Sequence, residues 1–252
     1  MKIFIHHKRV VWALAIIAAA LVVLSVTANF LTYSVVDNPL PAKVTHNFER
    51  LFDLDSEANV PTWFQVALLL TCAGLLAINA GVHKTKNESH AIYWMILSVA
   101  FLYLSIDELA SIHDMANAPV KQLLHSTSGI LRFAWVIPYG ILTGIFGLAN
   151  LKFLFNLPRK TAMLFIVAGI IYVGSSIGIE LLGGMYSAIH GEENFNYKLI
   201  ATVEESGEMV GLILFIFANL DYINTHVGEV LLQLEASTPK SSTSGEEFRA
   251  AS

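Results

Sequence analysis

Three short stretches of this sequence carry ionisable side chains where apolar ones are the rule. The first reads Ser105-Ile106-Asp107-Glu108-Leu109-Ala110-Ser111-Ile112-His113-Asp114. The second is Glu180, between Gly178 and Gly183-Gly184, and the third is Thr202-Val203-Glu204-Glu205-Ser206-Gly207-Glu208. A charge at the middle of a membrane-spanning helix costs about 2.5–3.5 kcal/mol on insertion scales, so an ionisable group in an apolar run is a functional candidate. Spacing sorts them into faces. Glu204 and Glu208 are i and i+4 and point the same way on a helix. Asp107 and Asp114, seven apart, are nearly eclipsed, with Ser111 between them. Glu108 and His113 join that face only if the helix ends or distorts. Ser176, Glu180, Gly184 and Ser187 form one small, polar stripe that suits a helix facing its neighbours.

The bases available to these acids are few. Arg132 is placed to neutralise one carboxylate through a bidentate contact, and His113, His125 and His190 are expected on the same side. A dry cluster of ionised carboxylates is untenable, so protons are shared or a cation sits among them. Three readings follow. A divalent metal is one: oxygen ligands with an imidazole suit zinc, manganese or iron, and oxygen alone suits calcium or magnesium. The predicted ligands are Asp107, Glu108, His113, Glu180, Glu204 and Glu208, with Glu205 as the catalytic acid–base and Arg132 nearby. Proton carriage, as in pumps and transporters, is the second. The third is an ordinary structural role, with Asp107 and Glu108 capping a helix end, Glu205 facing water and Glu180 paired with Arg132. No Glu-x-x-His, His-Glu-x-x-His or His-x-x-x-His spacing is present to decide for the metal.

The elements that must position these residues are helices in a membrane. The chain is 55% hydrophobic and 14% charged over 252 residues, with a mean hydropathy of +0.59, whereas a soluble domain carries about 25% charged residues. The net charge of −5 argues against a nucleic-acid partner. The single cysteine, Cys72, excludes an internal disulfide and CxxC motifs. Apolar runs at roughly 11–34, 62–82, 91–113, 131–154, 162–189 and 199–223 predict an all-α, polytopic bundle of about six transmembrane helices within residues 1–225. The polar tail, 226–252, is expected to be cytoplasmic and mostly disordered. The first span has a basic start and Val26-Thr27-Ala28 after it, but its apolar core is too long for a cleaved signal peptide. Val44, Phe48, Leu51 and Phe52 predict a short amphipathic helix connecting the first two spans, either an ordinary connector or one lying on the outer surface.

Basic residues set the orientation. Lys2, Lys8 and Arg9 precede the first span, Lys84 and Lys86 follow the second, and Lys152, Arg159 and Lys160 follow the fourth, so both termini are expected in the cytoplasm. Trp12, Trp63, Trp94 and Trp135, each near the start of a span, fit an interfacial belt. With this topology Glu204 and Glu208 lie roughly 7 and 13 Å below the outer boundary, at about 1.5 Å per residue. Asp107 lies at a similar depth and Glu180 about 15 Å below His190. Carboxylates from three helices then share one layer of the outer leaflet. Gly140-x-x-x-Gly144, Gly174-x-x-x-Gly178 and Gly207-x-x-x-Gly211 predict close packing of spans four, five and six, or an oligomer through small-residue faces. Pro138 is expected to kink the fourth span and open a cavity. No internal repeat supports an inverted-repeat transporter.

Ser105-x-Asp107-Glu108 followed by His113-Asp114, then Glu180-Leu181-x-Gly183-Gly184, then Glu204-Glu205-x-x-Glu208-Met209, resembles an uncharacterised family of multipass bacterial inner-membrane proteins. The resemblance runs from about Leu51 through the sixth span and implies a six-helix bundle in a bacterial cytoplasmic membrane, with no assigned activity. That family usually has His-Glu where this chain has His113-Asp114, so Asp114 offers a shorter ligand. The functional expectation is a membrane-embedded cation site serving a metal-dependent enzyme on a lipid or other apolar substrate. The alternatives are a proton- or cation-coupled transporter and a non-catalytic membrane subunit.

Overall fold

The computed structural model describes residues 7–34, 40–86, 88, 90–125 and 129–227. The expected disordered tail beyond 227 and Lys2 of the basic N-terminal group lie outside the described residues. The helices are α1 (His7–Tyr33), α2 (Ala42–Phe52), α3 (Val60–Thr85), α4 (Ala91–Ala110), α5 (Asn117–Leu124), α6 (Val136–Asn156), α7 (Arg159–Val173), α8 (Glu180–His190) and α9 (Phe195–Tyr222). Among the described residues there is no strand. A π-helical segment, Gly174–Ile179, welds α7 and α8 into one rod. Helix starts follow capping rules: Asn59 accepts from the Thr62 amide before α3, with Pro61 in its first turn, and Asn194 accepts from the Tyr197 amide before α9.

Five helices are long and apolar enough to cross a membrane: α1, α3, α4, α6 and the α7–α8 rod. The sixth expected span, α9, has the length, 28 residues, but Glu204, Glu205 and Glu208 make it too polar to qualify on composition. Its position explains why. α9 packs against α1, α3, α7 and α8 and is buried over most of its circumference, from Tyr197 through Leu212 and Ile216 to Tyr222, leaving the stripe of Val203 and Val210 exposed. A helix packed against four others can carry polar residues on its inner faces.

Close approach and polar clasps join the helices of the bundle. A Cβ on Gly211 would stand 2.9 Å from the Tyr172 amide and 3.0 Å from the Ala168 carbonyl, and one on Gly207 would collide with Ser175. The α7–α9 seam is therefore glycine-dependent. Asn79 donates to Asn219 at 3.2 Å, and Asn29 donates to Asp53 at 2.8 Å. At the end opposite the carboxylates, His83 stacks on Trp94 at 5.7 Å and bonds Tyr222 Oη at 2.9 Å.

Several expectations change. Span four does not join the glycine seam. α6 buries only Val136 and Phe153, a Cβ added to Gly144, Gly174 or Gly178 would meet nothing within 4 Å, and one on Gly140 would meet only Ile177. Pro138 sits in the first turn of α6, where its missing N–H would have no partner anyway, so a mid-helix kink has no basis. The third span stops at Ala110, because Ser111 takes a left-handed conformation (φ 49°). The tryptophans divide: Trp12 and Trp63 are 70% exposed, whereas Trp94 and Trp135 are 0% and 7% exposed core residues. The connector does form a helix, α2, with Val44 and Leu51 exposed.

Candidate functional site

Tethered at its two ends by Val136 and Phe153, α6 stands away from the bundle between them and walls a cavity of about 1000 Å3. The cavity has two chemically distinct ends. Toward the ends of α4 and the α7–α8 rod it is lined by Asp107, Glu108, His113, Glu180, Glu204, Glu205 and Glu208. Toward the other side it is lined by Leu97 and Phe101 of α4, Phe146 and Leu154 of α6, Phe165 and Ile166 of α7, and Phe215 of α9. All seven acid and imidazole residues expected at the site line this cavity. Arg132 does not.

Each polar group is held from a different helix. Because α4 ends at Ser111, the chain turns back and His113 Nδ1 donates to Asp107 Oδ2 at 3.0 Å, which a continuous helix would forbid. Tyr139 of α6 donates to the other Asp107 oxygen at 2.8 Å, and Tyr103 bonds Tyr139 at 2.8 Å. Gln65 of α3, fully buried, donates to Glu208 at 2.8 Å and to Glu205 at 3.1 Å. Glu180 accepts from the Trp135 indole N–H at 2.9 Å, not from Arg132. Arg132 instead binds Glu192, through Nε and Nη2, both at 2.7 Å. Glu204 of α9 faces Glu180 of α8 at this end of the cavity, an arrangement that two ionised carboxylates can hold only at a cost unless a proton or a cation comes between them.

The π segment explains how Glu180 reaches the cavity. Its extra residue shifts the register, so Ser175 packs on Gly207 while Ser176 and Glu180 line the cavity. Such insertions recur at functional sites in helices. Gly184 and Ser187 complete the polar stripe on the buried side, with Gly184 against Phe133.

Two mouth residues come from a loop with no periodicity to reveal them. Asp53 is fully buried and accepts from Asn29, Ser56 and Lys198, which fixes the turn that carries Asp55 and Glu57 to the cavity. Lys198 also binds Asp55 at 2.7 Å. Burial pushes the Asp55 carboxyl up to about 6, against the pull of Lys198. Glu57 accepts from Ser111. Burial opposes charge on His113, but the hydrogen bond and negative charge of Asp107 outweigh it and raise the imidazole to about 9.

Among the described residues, one group brings three potential metal ligands within 4.8 Å of one another: Glu57, His113 and Asp114. Of the six ligands expected from sequence, His113 alone belongs to it. The other five sit deeper and are spread over α4, α8 and α9. His113 has the form of a metal-binding histidine, with Nδ1 oriented by a carboxylate and Nε2 4.0 Å from Asp114. Glu57 and Asp114, the other two members of the group, were not among the ligands expected from sequence, and Glu57 lies 54 residues from its partner Ser111 in an irregular loop.

The chain belongs to a family described as Domain of unknown function (DUF8692). The match covers residues 13–223, so it takes in the whole cavity and every residue that lines it. That description assigns no activity, as the sequence resemblance implied. No curated protein and no solved structure matches the chain.

Proposed function

We propose that this is a six-span protein of a bacterial cytoplasmic membrane, both termini cytoplasmic, acting as a metal-dependent enzyme on a substrate with a polar head and an apolar body. One observation carries the reading: a single cavity of about 1000 Å3 joins a carboxylate- and imidazole-lined end to a long apolar trough. Ligand sites are of this size, mostly apolar with a few convergent polar groups. The polar end holds the substrate's reacting bond in one layer with ionisable groups from α4, α8 and α9. The trough accepts the apolar body from the membrane side of α6.

A divalent zinc, manganese or iron ion on Glu57, His113 and Asp114 supplies the Lewis acid or the activated water. Asp107 orients His113, and Glu205, held by Gln65, moves the proton as general base and then acid. Because His113 binds a proton tightly, metal loading displaces that proton and strengthens as pH rises. The test is turnover of a total lipid extract by purified, metal-loaded protein, with products read by mass spectrometry. Loss of product in Glu57→Ala/Asp114→Ala and in Glu205→Gln supports the reading, and unchanged turnover in both sinks it. Transport is the alternative, favoured by the Glu180–Glu204 contact between α8 and α9. It predicts proton-coupled flux in proteoliposomes that fails in Glu180→Gln.

A further inference from the structure

We infer that the ligand of this cavity carries a cationic amine at the head of a long alkyl chain. The inference rests on the reading above, that the cavity takes an amphiphile, and narrows the chemistry of its head. Among the described residues no lysine or arginine lines the cavity. The two nearest cations are already committed, Arg132 to Glu192 and Lys198 to Asp53 and Asp55. The lining base, His113, is bound to Asp107. A phosphate or carboxylate head seated beside Glu180, Glu204, Glu205 and Glu208, deeper than the metal group at the mouth, would therefore meet acids with no lysine or arginine among them, at the cost of like-charge repulsion and desolvation. An ammonium head supplies the positive charge that the layer lacks.

The acids have acceptor capacity left for it. The protein gives Glu180 a donor from Trp135 and Glu208 a donor from Gln65, while an ionised carboxylate accepts about four hydrogen bonds. An ammonium brings three donors on one atom. Trp135 and Tyr139 stand edge to face, 5.5 Å apart at 89°, at the rim of the same acids, with the His113 ring packed on both at 4.8 and 6.3 Å. This grouping already holds one cationic ring beside Asp107, and aromatic rings beside carboxylates attract organic cations. The trough fits a long chain. From Glu108 to Leu97 on α4 and from Tyr139 to Leu154 on α6, its walls run about 16 and 22 Å at 1.5 Å per residue.

The test uses full-length protein in maltoside detergent, mixed with equimolar hexadecylamine, hexadecanol and hexadecyl phosphate. Retained ligand is counted by native mass spectrometry. The amine is expected to be held at least about tenfold over the other two, a difference of ~1.4 kcal/mol. Glu204→Gln/Glu208→Gln is expected to bring the amine down to the level of the alcohol. Gly147→Trp, which fills open space in the trough, is expected to release all three. Equal retention of amine and alcohol, or preference for the phosphate, overturns the amine head and leaves the amphiphile cavity standing. Retention of none by the wild type overturns both. The wild-type selectivity decides the matter even if the double variant does not fold.

Discussion

Replacing Gly211 by alanine tests the seam that sets Glu204 and Glu208 opposite the α7–α8 rod. The added Cβ would meet the Tyr172 amide and Cβ at 2.9 Å and the Ala168 carbonyl at 3.0 Å. Two of these are backbone atoms, so no rotamer change relieves the contact and α7 and α9 must part by some tenths of an ångström. Overpacking of this kind costs about 1–3 kcal/mol. For a protein of this size each kcal/mol lowers Tm by about 2–4 °C, so the expected fall is about 2–12 °C. Gly207→Ala brings its Cβ to 2.8 Å from the Ser175 Cβ, which no turn of the hydroxyl relieves, and should cost a similar amount. Gly174→Ala and Gly178→Ala have nothing within 4 Å and should change stability by no more than about 0.5 kcal/mol. The assay is thermal unfolding in one detergent at one scan rate, since such unfolding is rarely reversible. A Gly174→Ala protein as damaged as Gly211→Ala would refute the reasoning, because the seam would then run along the other glycine face.

Three further outcomes are expected. Lys198→Met leaves Asp53 buried and without its cation, and unfolding measurements should show a loss of about 3–5 kcal/mol, with Asp53→Asn in the same background recovering part of it. In chelator-treated protein His113 is protonated more readily when folded than when unfolded, so its contribution is fully present below pH 6.5 and is lost as pH rises through about 9. Tm scanned over that window should fall, and His113→Gln should flatten the slope. Elemental analysis after reconstitution with zinc or manganese should find near-stoichiometric metal in the wild type and little in Glu57→Gln/Asp114→Asn, while Glu204→Ala/Glu208→Ala, lying deeper, retains it.

The helices were legible because apolar runs of spanning length leave the backbone no alternative in lipid. The acids that line the cavity were legible for the same reason, as each interrupts such a run. Their partners were not. Trp135 reads as an interfacial anchor until α6 is seen to start at Val136 and turn the indole toward Glu180. Arg132 is satisfied by Glu192, a residue in a polar loop that no pattern links to it. Glu57 and Asp55 reach the mouth through the Asp53 clasp with Lys198, a contact across 145 residues that periodicity cannot report. The joining of His113 to Asp107 needed a helix end, and Ser111 carries no strong signal for one. The glycine pairs were half informative: Gly207 and Gly211 mark a seam, whereas the same spacing at Gly140 and Gly174 marks none.

The central claim is that an apolar-tailed molecule lies inside the α4–α6–α7–α9 cavity. Photo-crosslinking of membranes with a diazirine-bearing alkyl amine, followed by peptide mapping, tests it most directly. Adducts are expected on Phe146, Leu154, Phe165 and Phe215, competed away by unlabelled hexadecylamine and absent in Gly147→Trp. Adducts confined to the exposed outer residues of α6, such as Ile141, Leu148 and Phe155, and insensitive to competition would contradict it.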